Sequence, residues 1–173
     1  MKIIKIPVGY LEANCYILNK NNTNLIIDPG DEFEKIQKQI HGKVLGILIT
    51  HHHYDHIGAL GKLKEKFNCP IYEYPIKGGC YDINDFHFEI INTKGHTTDS
   101  ITFYFENEKA MFTGDFLFKE TIGRTDLETG NMNDMIESLK KIGKYDATIY
   151  PGHGDITTLE YEKKHNPYLI KYN

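Results

Sequence analysis

Apolar positions along the chain change their period several times, and each change marks an element. Ile, Val, Leu and Tyr crowd residues 2–8, 14–19 and 24–28 with turn residues between them, which predicts three strands in an antiparallel meander. In "DPGDEFEKIQKQI" the period lengthens: a break, acidic residues suited to a first helical turn, then Phe33, Ile36 and Ile40 at helical spacing. "VLGILIT" is a short unbroken apolar run, the pattern of a strand covered on both faces. From Asp55 to Phe67 the pattern predicts one helix, with Ile57, Leu60 and Leu63 inward and Lys62, Lys64, Glu65 and Lys66 outward. Strands are expected near 70–73, 86–92, 100–106 and 109–113, and the polar, glycine-bearing stretch 115–130 reads as a long irregular loop. A helix from Asn131 to Gly143 carries Met135, Ile136, Leu139 and Ile142 on one face. A strand at 146–150 and a short helix at 158–165 complete the pattern.

No repeat at the level of residues and no linker interrupts this order. It falls into two halves, each with strands first and then a helix and a strand, so a two-layer β core with helices on its outer faces would bury both. One domain over residues 1–173 is expected, and 40% hydrophobic with 25% charged residues is ordinary for a globular chain. The formal charge of −4 speaks against nucleic acid as a partner, because polyanions call for a basic face. No apolar run approaches the ~20 residues of a membrane span. "MKIIKIPVGYLEANCYIL" reads as strand, turn and strand, not as a signal peptide. Cys15, Cys69 and Cys80 lack zinc-type spacing and cannot all pair, so they are read as reduced thiols of a cytoplasmic protein.

The chemistry concentrates in "THHHYDHIGAL", residues 50–60, set between an apolar strand and a helix. Residues two apart on an extended stretch point the same way, so His51 and His53 can reach one metal while His52 points elsewhere. Asp55 and His56, at the turn into the helix, are offset enough for a second ion. Imidazole and carboxylate together suit zinc, iron or manganese. Further candidates follow other strands: His96 in "TKGHTTDS", Asp115 in "MFTGDF" and His153 in "TIYPGHGD", each beside a glycine or proline. Gly114 would let the backbone approach closely. Asp28 in "LIIDPGD" is read either as a plain turn residue or as a support for the site. His41, His52, His87 and His165 are read as ordinary residues.

HxHxDH followed by His, Asp and His resembles the metallo-β-lactamase superfamily over essentially the whole chain. "GHTTDS", "TGDFLF", "IGRTDL", "TGNMNDMIESL" and "PGHGDITTLEYEKKHNP" are similar to its glyoxalase II-like hydrolases. The resemblance implies an α/β fold, the four-layer αββα sandwich. It puts His51, His53 and His96 on one divalent ion and Asp55, His56 and His153 on the other, with Asp115 bridging. It implies two such ions, zinc foremost, and makes Asp28 a hydrogen-bonding support behind a ligand. A bridging carboxylate holds two ions ~3.5–4 Å apart, and water between them becomes hydroxide near neutral pH. Asp55 could orient that nucleophile. The small-molecule substrate expected is an acyl-thiol thioester such as S-lactoylglutathione, because a thiolate of pKa ~8.5 leaves without a strong acid. An oxygen ligand at Asp115 argues against β-lactam hydrolysis.

Two departures from the longer glyoxalase II enzymes matter. The chain ends at Asn173, where those enzymes add a helical domain that contacts glutathione, and the stretch from Cys69 to Phe86 is short, which should open the site or leave room for a neighbouring subunit. Arg124 could meet a carboxylate of the thiol carrier, but an ion pair with Asp126 or a bond to a backbone carbonyl is preferred. Alternatives are a mono-iron persulfide dioxygenase, a lactone or other ester hydrolase, a non-catalytic metal module and, least favoured on charge, a nuclease. Oligomeric state is left open.

Overall fold

The computed structural model describes residues 1–172. Its first sheet opens with the expected meander, in which β1 (Lys2–Val8), β2 (Ala13–Lys20) and β3 (Thr23–Ile27) pair antiparallel. After helix α1 (Phe33–Gln37) come β4 (Lys43–Leu48), parallel to β3, and β5 (Ile71–Tyr72), parallel to β4. Between β4 and β5 the single helix expected over 55–67 is two, α2 (Tyr54–Ile57) and α3 (Leu60–Phe67). The break has a local cause. The Ala59 amide donates to the Pro29 carbonyl instead of into a helix, and Gly58 packs so closely on Gly30 that a Cβ would lie 2.2 Å from its oxygen.

The second sheet runs in the order β13-β12-β9-β8-β7-β6. Its strands are β6 (Gly79–Ile83), β7 (Phe86–Asn92), β8 (Ile101–Phe105), β9 (Ala110–Gly114), β12 (Thr148–Pro151) and β13 (Thr157–Thr158). A hairpin of two-residue strands, β10 (Leu117–Phe118) and β11 (Thr121–Ile122), occupies part of the predicted irregular loop. Helix α4 (Met132–Ile142) precedes β12, and α5 (Leu159–His165) and α6 (Pro167–Tyr172) follow β13. The sequence reading did not find β6, β10, β11, β13 or α6. The edge strand β6, "GCYDI", has too little apolar alternation to stand out, and each of the others fully buries at most one side chain.

Strand alternation sorts the apolar residues into three layers. Cys15, Ile17, Ile26, Ile47 and Ile49 face outward onto Ile36 and Leu63 of the first helices. Their neighbours Tyr16, Leu18, Leu25, Ile27 and Leu48 face inward, against Phe88, Phe103, Phe105 and Phe112 of the second sheet. Tyr104, Met111 and Ile149 point the other way, onto Met135, Leu139, Leu159 and Leu169. Helix, sheet, sheet and helix therefore stack around these layers, the αββα sandwich expected. Each fully buried Leu, Ile or Phe contributes about 2 kcal/mol. No helix among the described residues is long and apolar enough to cross a membrane.

A buried polar cluster ties the last helices to the hairpin. The fully buried Glu162 accepts hydrogen bonds from the Thr157 hydroxyl (2.6 Å), the Glu120 amide (2.7 Å) and the Asn166 side-chain amide (3.0 Å). Asn166 also donates to the Thr121 carbonyl at 3.0 Å. A hairpin this short is not stable alone, so the cluster holds the chain that runs from Asp115 to Arg124.

Candidate metal centre

Four strand ends meet at one rim of the sandwich. The segment after β4 carries His51, His53, Asp55 and His56; His96 follows β7, Asp115 follows β9 and His153 follows β12. Backbone bonds close the rim across the sheets. The Ile101 amide donates to the Thr50 carbonyl (2.9 Å), and the Asn14 amide donates to that of Gly152 (2.6 Å). Asn14 Nδ2 and Tyr16 Oη both donate to the Pro151 carbonyl, at 3.0 and 2.7 Å, so β2 fixes the turn bearing His153. The loop of His96 rests on α4, where the Asn131 amide donates to Gly95 and Ser138 to Lys94. Asn131 caps that helix by accepting from the Asn133 and Asp134 amides.

All seven residues singled out from the sequence converge. Ligating atoms of His51, His53 and His96 lie within 4.8 Å of one another, as do those of Asp55, His56 and His153. His53 Nδ1 and His96 Nε2 are 3.0 Å apart, and His153 Nε2 is 3.2 Å from Asp55 Oδ2. Asp115 lies between the groups, with Oδ2 3.6 Å from His96 Nε2 and 3.7 Å from His153 Nε2, and Oδ1 3.3 Å from His56 Nε2. Each group draws two residues from the first half of the chain and one from the second. Two glycines permit this crowding. A Cβ on Gly152 would stand 2.3 Å from Asp115 Oδ1, and one on Gly114, whose φ is 50°, would stand 2.2 Å from Thr50 Oγ1.

Asp28 is buried behind the centre and acts as a support. Its carboxylate accepts from the Thr50 amide (2.8 Å), the Thr50 hydroxyl (2.6 Å) and His56 Nδ1 (3.0 Å). Asp28 also lies within ligating reach of His51 and His56, but both its oxygens are already engaged, so it orients His56 instead of joining the cluster. Thr50 Oγ1, having donated to Asp28, accepts from His51 Nδ1 at 3.1 Å. His96 Nδ1 donates to the Arg124 carbonyl (2.8 Å) and His153 Nδ1 to that of Leu11 (3.0 Å). In each case Nε2 is left as the nitrogen that faces inward.

The electrostatics suit cations. Burial, reinforced by the neighbouring imidazoles, holds His51 well below the usual histidine pKa. Burial also opposes charge on His56, but Asp115 and Asp28 outweigh it and raise its pKa to about 10. Burial likewise works against ionised Asp115, yet His56 and the other histidines hold it below the usual carboxylate range. Asp55 stays low against burial through its bond to His153, and that bond raises His153. Three buried atoms, His51 Nε2, His56 Nε2 and Asp115 Oδ1, have no hydrogen-bond partner among the described residues. Such orphans are costly unless something fills the space between them. A donor set of imidazole nitrogens and carboxylate oxygens fits zinc, iron or manganese there.

Arg124 pairs with Asp126 through two bonds of 2.7 and 2.8 Å, the preferred reading. His41 and His165 make no contact with the centre's residues through their rings, and His87 pairs with Asp82. His52 is not idle: its ring bonds Asp99 and Glu73. Asn14, Tyr16, Thr50 and Asp99 were missed as supports. Only Thr50 and Asp99, each beside or inside a histidine motif, left any trace in the sequence.

A model of the metallo-beta-lactamase superfamily matches residues 8–79 and 75–153. The chain is 34% identical to the probable metallo-hydrolase YqgX of Bacillus subtilis, the match covering 98% of both chains. It is 32% identical to the hydroxyacylglutathione hydrolase GloC of Haemophilus influenzae, again over 98% of both. Among solved structures, the BLEG-1 B3 metallo-beta-lactamase superposes with a TM-score of 0.90 at 29% identity, over 97% of this chain and 99% of that one. TTHA1623 in a di-iron-bound form gives 0.88 at 28% identity, over 96% and 100%.

Proposed function

Because the chain belongs to the metallo-beta-lactamase superfamily and its relatives include proteins named as metallo-hydrolases, we propose that it is a dinuclear metal-dependent hydrolase of acyl-thiol thioesters, S-lactoylglutathione being the type. One observation carries the reading: two three-residue groups share a carboxylate, Asp115, that reaches toward both. The name of the Haemophilus relative supports the substrate class.

In this reading His51, His53 and His96 would hold one divalent ion and Asp55, His56 and His153 the other, with Asp115 available to both. Two divalent ions held there would supply hydroxide from water near neutral pH and Lewis acidity toward a carbonyl. The chain's residues do the rest. Outer bonds to Thr50, Asp28, Arg124 and Leu11 fix four imidazoles with Nε2 inward. Asp55, partly open to solvent, ligates and can accept a hydrogen bond that orients the nucleophile. None of the histidines or carboxylates of the centre is free to serve as a dedicated acid. A thiolate needs none, whereas an amide nitrogen does. That favours a thioester over a β-lactam, although the BLEG-1 neighbour makes a β-lactam the necessary comparison. Zinc is the first choice of metal; the di-iron form of TTHA1623 makes iron the second.

Elemental analysis of the purified protein, paired with assays on S-lactoylglutathione, other thioesters, a lactone and a β-lactam, tests the proposal. Two ions per chain and thioester turnover abolished in Asp55→Ala are expected. No turnover of any thioester would end the substrate assignment. One iron per chain with oxygen uptake on a persulfide would replace hydrolysis with oxidation.

A further inference from the structure

Four of the five imidazoles in the centre are set by a partner on the nitrogen that faces away from it, and His53 is the exception. His51, His56, His96 and His153 bond outward through Nδ1 to Thr50, Asp28, Arg124 and Leu11. His53 presents Nδ1 to His96, and its Nε2 has no hydrogen-bond partner among the described residues. The ring is also half-buried rather than enclosed. Something other than its own outer bond must hold it 3.0 Å from His96.

The adjacent residue provides that hold. Asp99 Oδ2 accepts from the backbone amide of His52 (3.1 Å) and bonds the same residue's ring at Nδ1 (2.5 Å). The ring's Nε2 meets Glu73 at 2.9 Å. Asp99 stands three residues after His96 on the turn between β7 and β8, and Glu73 stands just after β5. One carboxylate thus joins the segment carrying His51 and His53 to the segment carrying His96, and it grips backbone and side chain together.

We propose that Asp99 and His52 form a strap that sets the spacing of the His51–His53–His96 group, making both of them positioning residues, with Glu73 bracing the ring from the other side. The proposal rests on the reading that this group holds a metal ion. The strap is too exposed to matter much for stability, its side chains being 39% exposed at His52, 21% at Asp99 and 37% at Glu73. Exposed pairs of that kind add little to stability. Metal–nitrogen bonds, by contrast, tolerate only ~0.2 Å of error, so a loosened His53 costs affinity at one ion and not at the other. Asp28 bonds His56 directly and reaches His51 through Thr50, but it does not touch His53.

Protein stripped by chelator, reloaded with Co2+ and titrated against a chromophoric competitor resolves the two binding steps. Asp99→Ala is expected to weaken one ion about tenfold or more and to leave the other within about twofold, with the metal-free Tm close to wild type. Hyperfine-shifted imidazole N–H signals should place the loss at His51, His53 and His96. Asp99→Asn keeps an oxygen for the His52 amide and should fall between, as should His52→Gln; both serve if the alanine variant misfolds. Unchanged affinity for both ions in these variants overturns the strap alone. So does an equal loss at both ions with a matching fall in metal-free Tm, which marks a general fold defect. A wild-type chain that takes up no divalent ion overturns the metal reading, and the strap with it.

Discussion

Asp115 Oδ1 and His56 Nε2 stand 3.3 Å apart, buried, and neither atom has a hydrogen-bond partner among the described residues. A carboxylate oxygen and an imidazole lone pair facing each other across that gap are two hydrogen-bond acceptors with no proton or cation between them. A cation resolves the mismatch; a proton on His56 resolves it in the cation's absence.

Replacing Asp115 should therefore separate the two ions' fates. Asp115→Ala is expected to retain at most one tightly bound ion by elemental analysis and to lose at least about 100-fold in thioester kcat/KM. Removal of an outer partner alone costs 10–100-fold, and a shared ligand costs no less. Two ions retained with normal turnover would show that the carboxylate is not shared.

Asp28 tests the layer behind. Its carboxylate serves Thr50 twice and His56 once, in a left-handed backbone conformation (φ 47°) that a non-glycine residue adopts under constraint. Asp28→Ala should weaken metal binding about 10–100-fold, measured by chelator competition, and should lower stability without metal too. An unchanged affinity would reduce Asp28 to a turn residue.

Protonation gives a third prediction. With His56 raised to about 10 by Asp115 and Asp28 against the pull of burial, the metal-free protein carries that proton at pH 8, and metal binding must expel it. Calorimetry in buffers of different ionisation enthalpy should find about one proton or more released per chain on loading at pH 8. For the metal-free fold the sign follows. A raised histidine stabilises fully below its unfolded pKa of ~6.5, and that contribution fades as pH climbs toward 10. His51, depressed by burial, acts oppositely: the unfolded chain gains its proton below ~6.5, so acid destabilises the fold. Metal-free stability rising steadily from pH 7 to 10 would contradict the His56 environment.

Glu162 makes a prediction far from the ions. Glu162→Ala strands the Thr157 hydroxyl, the Glu120 amide and the Asn166 side chain in a buried site. At ~1–3 kcal/mol for each unsatisfied donor, a loss of about 3 kcal/mol or more is expected by chemical denaturation. Glu162→Gln, still an acceptor, should lose less. A neutral alanine would mean that water replaces the carboxylate.

The legible and illegible parts of this chain divide along physical lines. Periodicity located β1 to β4, β7 to β9, α4 and α5 because each of them buries a stripe of side chains on at least one face. It joined α2 to α3 because Leu60 and Leu63 continue the spacing of Ile57, while the break comes from Gly58 resting on the distant Gly30. The histidine and aspartate positions were readable at strand ends, since a strand end marks where its next residue emerges. Their outer partners were not. Tyr16 looks like any core tyrosine until its hydroxyl is found on the Pro151 carbonyl, and His52 looks like a bystander until Asp99 is folded against it. Long-range partners leave no periodic signature.

Each candidate ion would take two side chains from the first half of the chain and, with the shared Asp115, two from the second. An ion bound that way is a rivet between halves as well as a reagent, and it binds only the folded chain tightly, so it adds RT ln(1 + [ion]/Kd) to stability. Scarcity of the ion then reaches abundance as well as turnover, because a looser chain is more readily cleared by proteases. Supply of the metal would set how much of this protein persists.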